Sequence, residues 1–103
     1  MRRGSILHYL VGSQQLRVVV LSEDRYNPAH ALIAPVRERS APALAPAFLV
    51  PLTRQDWPTA AVIDLSRARS LDPDAVAGPA GQLTQTTVGS LTNAIRTYLS
   101  AIA

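Results

Sequence analysis

The run Val18-Val19-Val20-Leu21, led in by Leu16-Arg17, leaves this chain few options. An unbroken apolar stretch rich in β-branched residues belongs to a strand covered on both faces, because a strand with one wet face alternates polar and apolar residues. The run stops at Ser22-Glu23-Asp24-Arg25-Tyr26-Asn27-Pro28, a polar, turn-prone cluster closed by Asn-Pro. One strand therefore carries a core and delivers polar groups to its ends. Arg17 stands where the strand begins, and Ser22, Glu23, Asp24, Arg25 and Asn27 crowd its exit, so a rigid support could hold them in fixed geometry.

Around this strand the chain punctuates itself clearly. Gly4 to Val11 reads as a first strand, with Ile6, His8 and Leu10 on one face and Ser5, Leu7, Tyr9 and Val11 on the other. Gly12-Ser13-Gln14-Gln15 turns it into the central run as a hairpin. Ala31 to Val36 resumes the apolar pattern, and Pro35, lacking a ladder donor, fits a strand edge or end. Residues 41–47, Ala-Pro-Ala-Leu-Ala-Pro-Ala, form an extended loop. Phe48 to Leu52 and Ala60 to Leu65 make two further short strands, separated by Thr53-Arg54-Gln55-Asp56-Trp57-Pro58. Asp72-Pro73 has the cap-then-proline form of a single helical turn. After Thr84, a capping residue, Val88, Leu91, Ile95, Tyr98 or Leu99, and Ile102 recur at helical steps, opposite Gln85, Thr92, Asn93, Arg96 and Ser100. Five short strands and one helix predict a single domain over residues 1–103. Its fold class is mainly β with a C-terminal α-helix, a small antiparallel, partly closed barrel or curled sheet.

With no cysteine, the chain has neither a disulfide framework nor a thiolate metal site, and a reducing, cytoplasmic setting is the expectation. No cleavage-site pattern follows the short apolar run Ser5 to Val11, and no apolar run approaches the roughly 20 residues that span a bilayer. No membrane, metal or cofactor is expected: the sequence has no ligand-spaced His, Asp or Glu set, no glycine-rich phosphate loop and no nucleophile elbow. All ten basic residues are arginine, giving a net charge of +3 against seven acids. A GC-rich genome accounts for that bias as well as function does. Arginine nonetheless has the planar fork that grips phosphate, which makes nucleic acid a candidate partner.

The order of the pieces resembles the MazF/PemK toxins. Met1-Arg2-Arg3-Gly4-Ser5-Ile6-Leu7 is similar to their "(R)RGeIw" opening, and Val18 to Asn27 to their "VVVVSnDrfN" strand and loop. Ala31-Leu32-Ile33-Ala34-Pro35-Val36 is similar to "vivaPit", Ala61-Val62-Ile63-Asp64-Leu65-Ser66-Arg67 to "svvlvDqiRt", and Gly81-Gln82-Leu83-Thr84 to "GrLs" before the last helix. The resemblance implies an SH3-like barrel, a homodimer, and a metal-independent endoribonuclease that cuts single-stranded RNA and is silenced by the tail of a cognate antitoxin.

The chain departs from that family where its chemistry should lie. The family has an arginine just before the proline of "RPvvvv"; here Arg17 takes the place of the proline, so only a bulge or deletion would restore it. A one-residue offset turns a strand side chain to the opposite face. The family's catalytic threonine or serine follows "vaPi", where this chain has Arg37, with Ser40 three residues on. The long loop between the first two strands is shortened. Cleavage without metal uses the substrate's own 2′-hydroxyl and needs positive charge on the developing phosphorane, which Arg17 and Arg37 can supply together, with Ser40 or Ser22 bonding a phosphate oxygen. Glu23, Asp24 and Glu38 are candidate bases. Ser22, Asp24, Arg25, Asn27, Arg67 and Arg69 are candidate RNA-binding residues, the last two alternating along one face of an extended segment.

Plainer readings stand beside these. Glu23 to Arg25 is a solvated turn, His8 and His30 are structural or surface residues, and Trp57 and Tyr26 pack under loops instead of stacking a base. The alternative functions are a binding-only relative that holds RNA or an antitoxin, and a CcdB-like gyrase poison. The ending Ser100-Ala101-Ile102-Ala103 lacks the Trp-Gly-Ile that the gyrase contact requires.

Overall fold

A computed structural model describes residues 1–27 and 29–102, with side chains as far as Tyr98. Pro28 and the side chains of Leu99, Ser100 and Ile102, named above, lie outside the described residues. Seven strands follow one another as β1 (Ser5–Val11), β2 (Gln14–Val20), β3 (Leu32–Arg37), β4 (Leu49–Pro51), β5 (Val62–Asp64), β6 (Arg69–Ser70) and β7 (Val76–Gln82), before the helix α1 (Gln85–Ile102). All pairings are antiparallel, in the order β4-β5-β3-β2-β1-β7, with β6 also placed against β3.

The central run behaves as its composition demands. Val19 and Val20 are both 0% exposed although they point to opposite faces, because the sheet carries a core on each side. On one side Ile6, Val19, Ala34, Val50 and Ile63 pack beneath Leu83 and Leu91. On the other, Leu7, Tyr9, Val18, Val20 and Ile33 meet Leu71. Gly4 makes this arrangement possible at the N-terminus: its φ is +93°, its N–H donates to Val20 O at 2.9 Å, and its carbonyl accepts from Leu83 N at 2.9 Å. A Cβ there would stand 2.7 Å from Val88 Cγ2, so only glycine lets the backbone pass under α1.

Two strands escape the sequence pattern. β7 is Val-Ala-Gly-Pro-Ala-Gly-Gln, exposed along most of its length, and it pairs with β1 through two register shifts. Its place comes from β1 and not from any periodicity of its own. β6 has only two residues, held against Leu32 and Ile33 of β3. Pro35 is not at a sheet edge, as expected, but inside a strand paired on both sides. It is tolerated because β3 changes partner there: Leu32 and Ile33 face β6, whereas Val36 and Arg37 face β5. The turn at Asp72 is the expected single one, a 3-10 turn over Pro73–Ala75 with the Asp72 carboxylate accepting from Asp74 N at 3.0 Å.

The helix starts as its sequence requires. Thr84 Oγ1 accepts the N–H of Thr87 at 3.3 Å. Asp56, reaching over from the loop after β4, accepts from Thr84 N (2.8 Å), Thr87 Oγ1 (2.6 Å), Thr53 N (2.9 Å) and Thr53 Oγ1 (2.8 Å). A carboxylate at a helix N-terminus also complements the helix dipole.

Candidate functional site

β2 pairs with β1 without interruption from Gln14 to Val19, and with β3 over Val18–Val20. Alternation then fixes every side chain of β2. Arg17 lies on the face of Val19 and Ile6, whereas Leu16 lies on the face of Val18 and its partner Pro35. Arg37, two residues beyond Pro35, shares the Leu16 face. The expectation that Arg17 and Arg37 converge is therefore corrected: they project from opposite faces of the sheet, and no bulge in β2 turns Arg17 over.

On the Leu16 face a cleft of about 280 Å³ is lined by Gln14, Leu16, Pro35, Val36, Arg37, Arg67 and Arg69. Its charge is organised by Asp64, the last residue of β5, which is 3% exposed. Asp64 Oδ2 receives Arg37 Nη1 at 3.2 Å and faces Arg67 Nε at 3.7 Å. Its Oδ1 accepts the N–H of Ser66 at 3.1 Å and also the Ser66 hydroxyl. That capping bond opens a 3-10 turn over Leu65–Arg67, which carries the Arg67 side chain back toward the carboxylate. Arg69 follows on β6, opposite Ile33. Arg67 and Arg69 do line one cleft, but a turn and a strand place them there, not one extended segment.

Burial works to raise the Asp64 pKa, yet hydrogen bonds from Ser66 and Arg37 outweigh it and hold the carboxyl below its ordinary value. The same balance, with Thr87, Thr84 and Thr53 as donors, lowers Asp56. The unfolded chain takes up these protons near pH 4, the folded chain only at lower pH. Both carboxylates therefore contribute stability that is complete above that range and is lost as pH falls through the folded values. The denaturant midpoint is expected to be flat from pH 7 to about pH 5 and to drop below about pH 4. In a D56N/D64N double variant that acid limb flattens.

The Arg17 face is built differently. The Arg17 guanidinium lies 4.7 Å from the ring centroid of Trp57, and the buried Trp57 donates Nε1–H to Glu38 Oε1 at 3.3 Å. Glu38, a candidate base, is thus engaged away from Arg37. His8 is the cross-strand partner of Arg17, and the two line a cavity of about 190 Å³ with Gln15 and Leu16. Leu16 belongs to both cavities.

The remaining candidates sit elsewhere. Ser22 donates to Asn27 Oδ1 at 2.6 Å and accepts from Leu32 N at 3.0 Å, and Asn27 Nδ2 donates to Met1 O and Ser22 O, both at 3.2 Å. These two fasten the loop and the N-terminus to each other. Arg25 pairs with Glu23 at 3.0 Å and covers Tyr26, while Asp24 lines a separate cavity with Arg2 and Arg3. Ser22 lies five positions after Arg17, beyond the end of β2, roughly 16 Å along an extended chain. Ser40 is exposed on the loop after β3 and is not among the residues lining the cleft. Gln14, Leu16, Asp64 and Ser66 were not picked out from sequence. A lone acid ending the apolar run Ala61 to Ile63 was the available signal for Asp64. Among the described residues no His, Cys, Asp and Glu group has the geometry to hold a metal ion, and no helix is long and apolar enough to cross a membrane.

A sequence profile of the PemK-like, MazF-like toxins of type II toxin–antitoxin systems matches residues 2–99. The chain belongs to this family. Among solved structures it is similar to one titled "Endoribonuclease in complex with its cognate antitoxin from Mycobacterial species", with a TM-score of 0.76 at 19% identity, over 97% of this chain and 95% of that one. No curated protein sequence matches it significantly. The two positions where the sequence resemblance expects the family's arginine and threonine, Leu16 and Arg37, both line the one cleft. Arg37 brings a guanidinium to this cleft from β3.

Proposed function

We propose that the protein is the toxin of a type II toxin–antitoxin pair and acts as a metal-independent endoribonuclease on single-stranded RNA. The observation that carries this reading is the convergence of Arg37, Arg67 and Arg69 on one cleft, at the place where the family resemblance puts its chemistry. RNA supplies the nucleophile, its 2′-hydroxyl, and the enzyme's task is to hold the phosphate and stabilise the charge that grows on it. Arg37, hydrogen-bonded to Asp64, and Arg67, ion-paired with it at 3.7 Å, present guanidinium groups to that charge, and Arg69 widens the field along the strand. The family relation supports a homodimer, and the solved neighbour's complex with its cognate antitoxin supports control of this chain by an antitoxin.

One observation favours a second reading, in which the cleft binds RNA without cutting it. Its buried carboxylate is engaged by Ser66, Arg37 and Arg67 and held below its ordinary pKa, which makes it a weak proton acceptor. Incubating the purified protein with a long RNA in EDTA and mapping the ends separates the two. New ends at a short recurring sequence, absent with Arg37→Ala, establish the nuclease. Retained but intact RNA selects the binding protein, and neither cleavage nor retention overturns both.

A further inference from the structure

The Arg17 face holds a second set of groups that the arginine cleft does not use. Arg17 is exposed, yet one face of its guanidinium is covered by the Trp57 ring at 4.7 Å, and that ring is itself fixed by its bond to Glu38. The guanidinium is a planar cation, exposed beside a buried ring. Half-buried His8 and exposed Gln15 flank it, and the cavity they form with Leu16 is about 190 Å³. That is below the roughly 300 Å³ at which pockets for drug-sized ligands begin, and it suits a single planar ring. Guanidinium planes stack on nucleobases, and a base can enter such a slot only when it is unpaired.

The two cavities lie on opposite faces of the sheet and share one lining residue at its rim. Leu16 lines both, and β3 pairs with β2 only over Val18–Val20 before turning to β5, so the Gln14–Arg17 stretch has β1 along one side. A single strand held by its phosphate at Arg37, Arg67 and Arg69 can pass over Leu16 and reach Arg17. We infer that His8, Gln15 and Arg17 form a nucleobase subsite of the RNA-binding surface, in which one unpaired base stacks on the Arg17 guanidinium. The inference rests on the proposed RNA substrate and names what this side of the sheet contributes to it. Trp57 acts as a positioning residue, holding the guanidinium flat. His8 and Gln15 offer hydrogen bonds to the edge of the base.

The test uses the full chain and a fluorescein-labelled RNA heptamer whose 2′-hydroxyls are methylated, so that it binds without being cut. Arg17→Lys keeps the charge and loses the planar stacking surface. It is expected to weaken binding about tenfold while leaving the dependence of affinity on salt unchanged. Arg69→Ala is expected to weaken binding and to make that salt dependence shallower. Replacing nucleotides one at a time by abasic sugars should reveal one position that costs the wild type about tenfold and costs Arg17→Lys almost nothing. Wild-type affinity in Arg17→Lys, or equal losses from every abasic position in both proteins, overturns the subsite while leaving the RNA reading standing. A wild-type chain that holds no RNA overturns both.

Discussion

Replacing Asp56 by alanine is expected to lower the melting temperature by roughly 8–16 °C, the shift that about 2 kcal/mol produces in a domain of this size. The loss exceeds that of an ordinary loop carboxylate because one side chain holds three residues, Thr53 in its own loop and Thr84 and Thr87 at the start of α1. It closes the Thr53–Trp57 loop on itself, satisfies Thr84 N at the start of α1 and takes the hydroxyl of Thr87, which is only 2% exposed. Alanine leaves those donors without partners, and a buried unpaired donor costs more than the net value of the bond it lost. Asp56→Asn retains one acceptor oxygen and should fall about halfway. Thermal unfolding followed by circular dichroism gives both values. A shift below about 3 °C for Asp56→Ala would mean that water replaces the carboxylate at the helix start.

The loop hub has a consequence for the Arg17 face. Trp57 directly follows Asp56, and its ring backs the Arg17 guanidinium, so loosening the loop loosens that platform. The Asp56→Ala chain should therefore lose part of the RNA affinity assigned to Arg17 while the arginine cleft keeps its own.

How much of this could be read beforehand follows from what each feature depends on. The Val18–Leu21 run and the stripe after Thr84 announce themselves because their burial is dictated by their own composition, and both stand where expected. β7 does not, because a Gly-Pro-Ala strand at the sheet's rim takes its pairing from β1 and has almost no apolar pattern to show. The candidate site was legible as an inventory but not as a geometry. Side chains alternate along a strand, so a single residue decides whether Arg17 faces the cleft or the opposite core, and only the register reveals it. Ser22 and Asn27 looked like site residues because they are polar at a strand's end, whereas their bonds go to each other and to nearby backbone. Asp64 carries the opposite lesson. Its role comes from a distant residue, Arg37 on β3, meeting its near neighbours Ser66 and Arg67 from the turn after β5 at one buried carboxylate.

That meeting point sets the largest effect expected on activity. Arg37→Ala should lower the RNA-cleavage kcat/KM by about 100- to 1,000-fold, the range for removing one preorganised group that stabilises transition-state charge. Stability should change far less, because the Arg37 side chain is 45% exposed and Asp64 keeps Ser66 and Arg67 when it is gone. A loss of about 1 kcal/mol or less is expected. Arg37→Lys restores the charge but not the planar fork that can meet Asp64 and a phosphate together, so it should recover only part of the rate. Arg54→Ala, an exposed arginine on the loop after β4, serves as the control for general charge and should cleave at the wild-type rate. Single-turnover rates with saturating enzyme separate the chemical step from binding, and the deficit of Arg37→Ala should persist there. If that variant cleaves within about threefold of wild type under those conditions, transition-state charge is stabilised by a group other than Arg37.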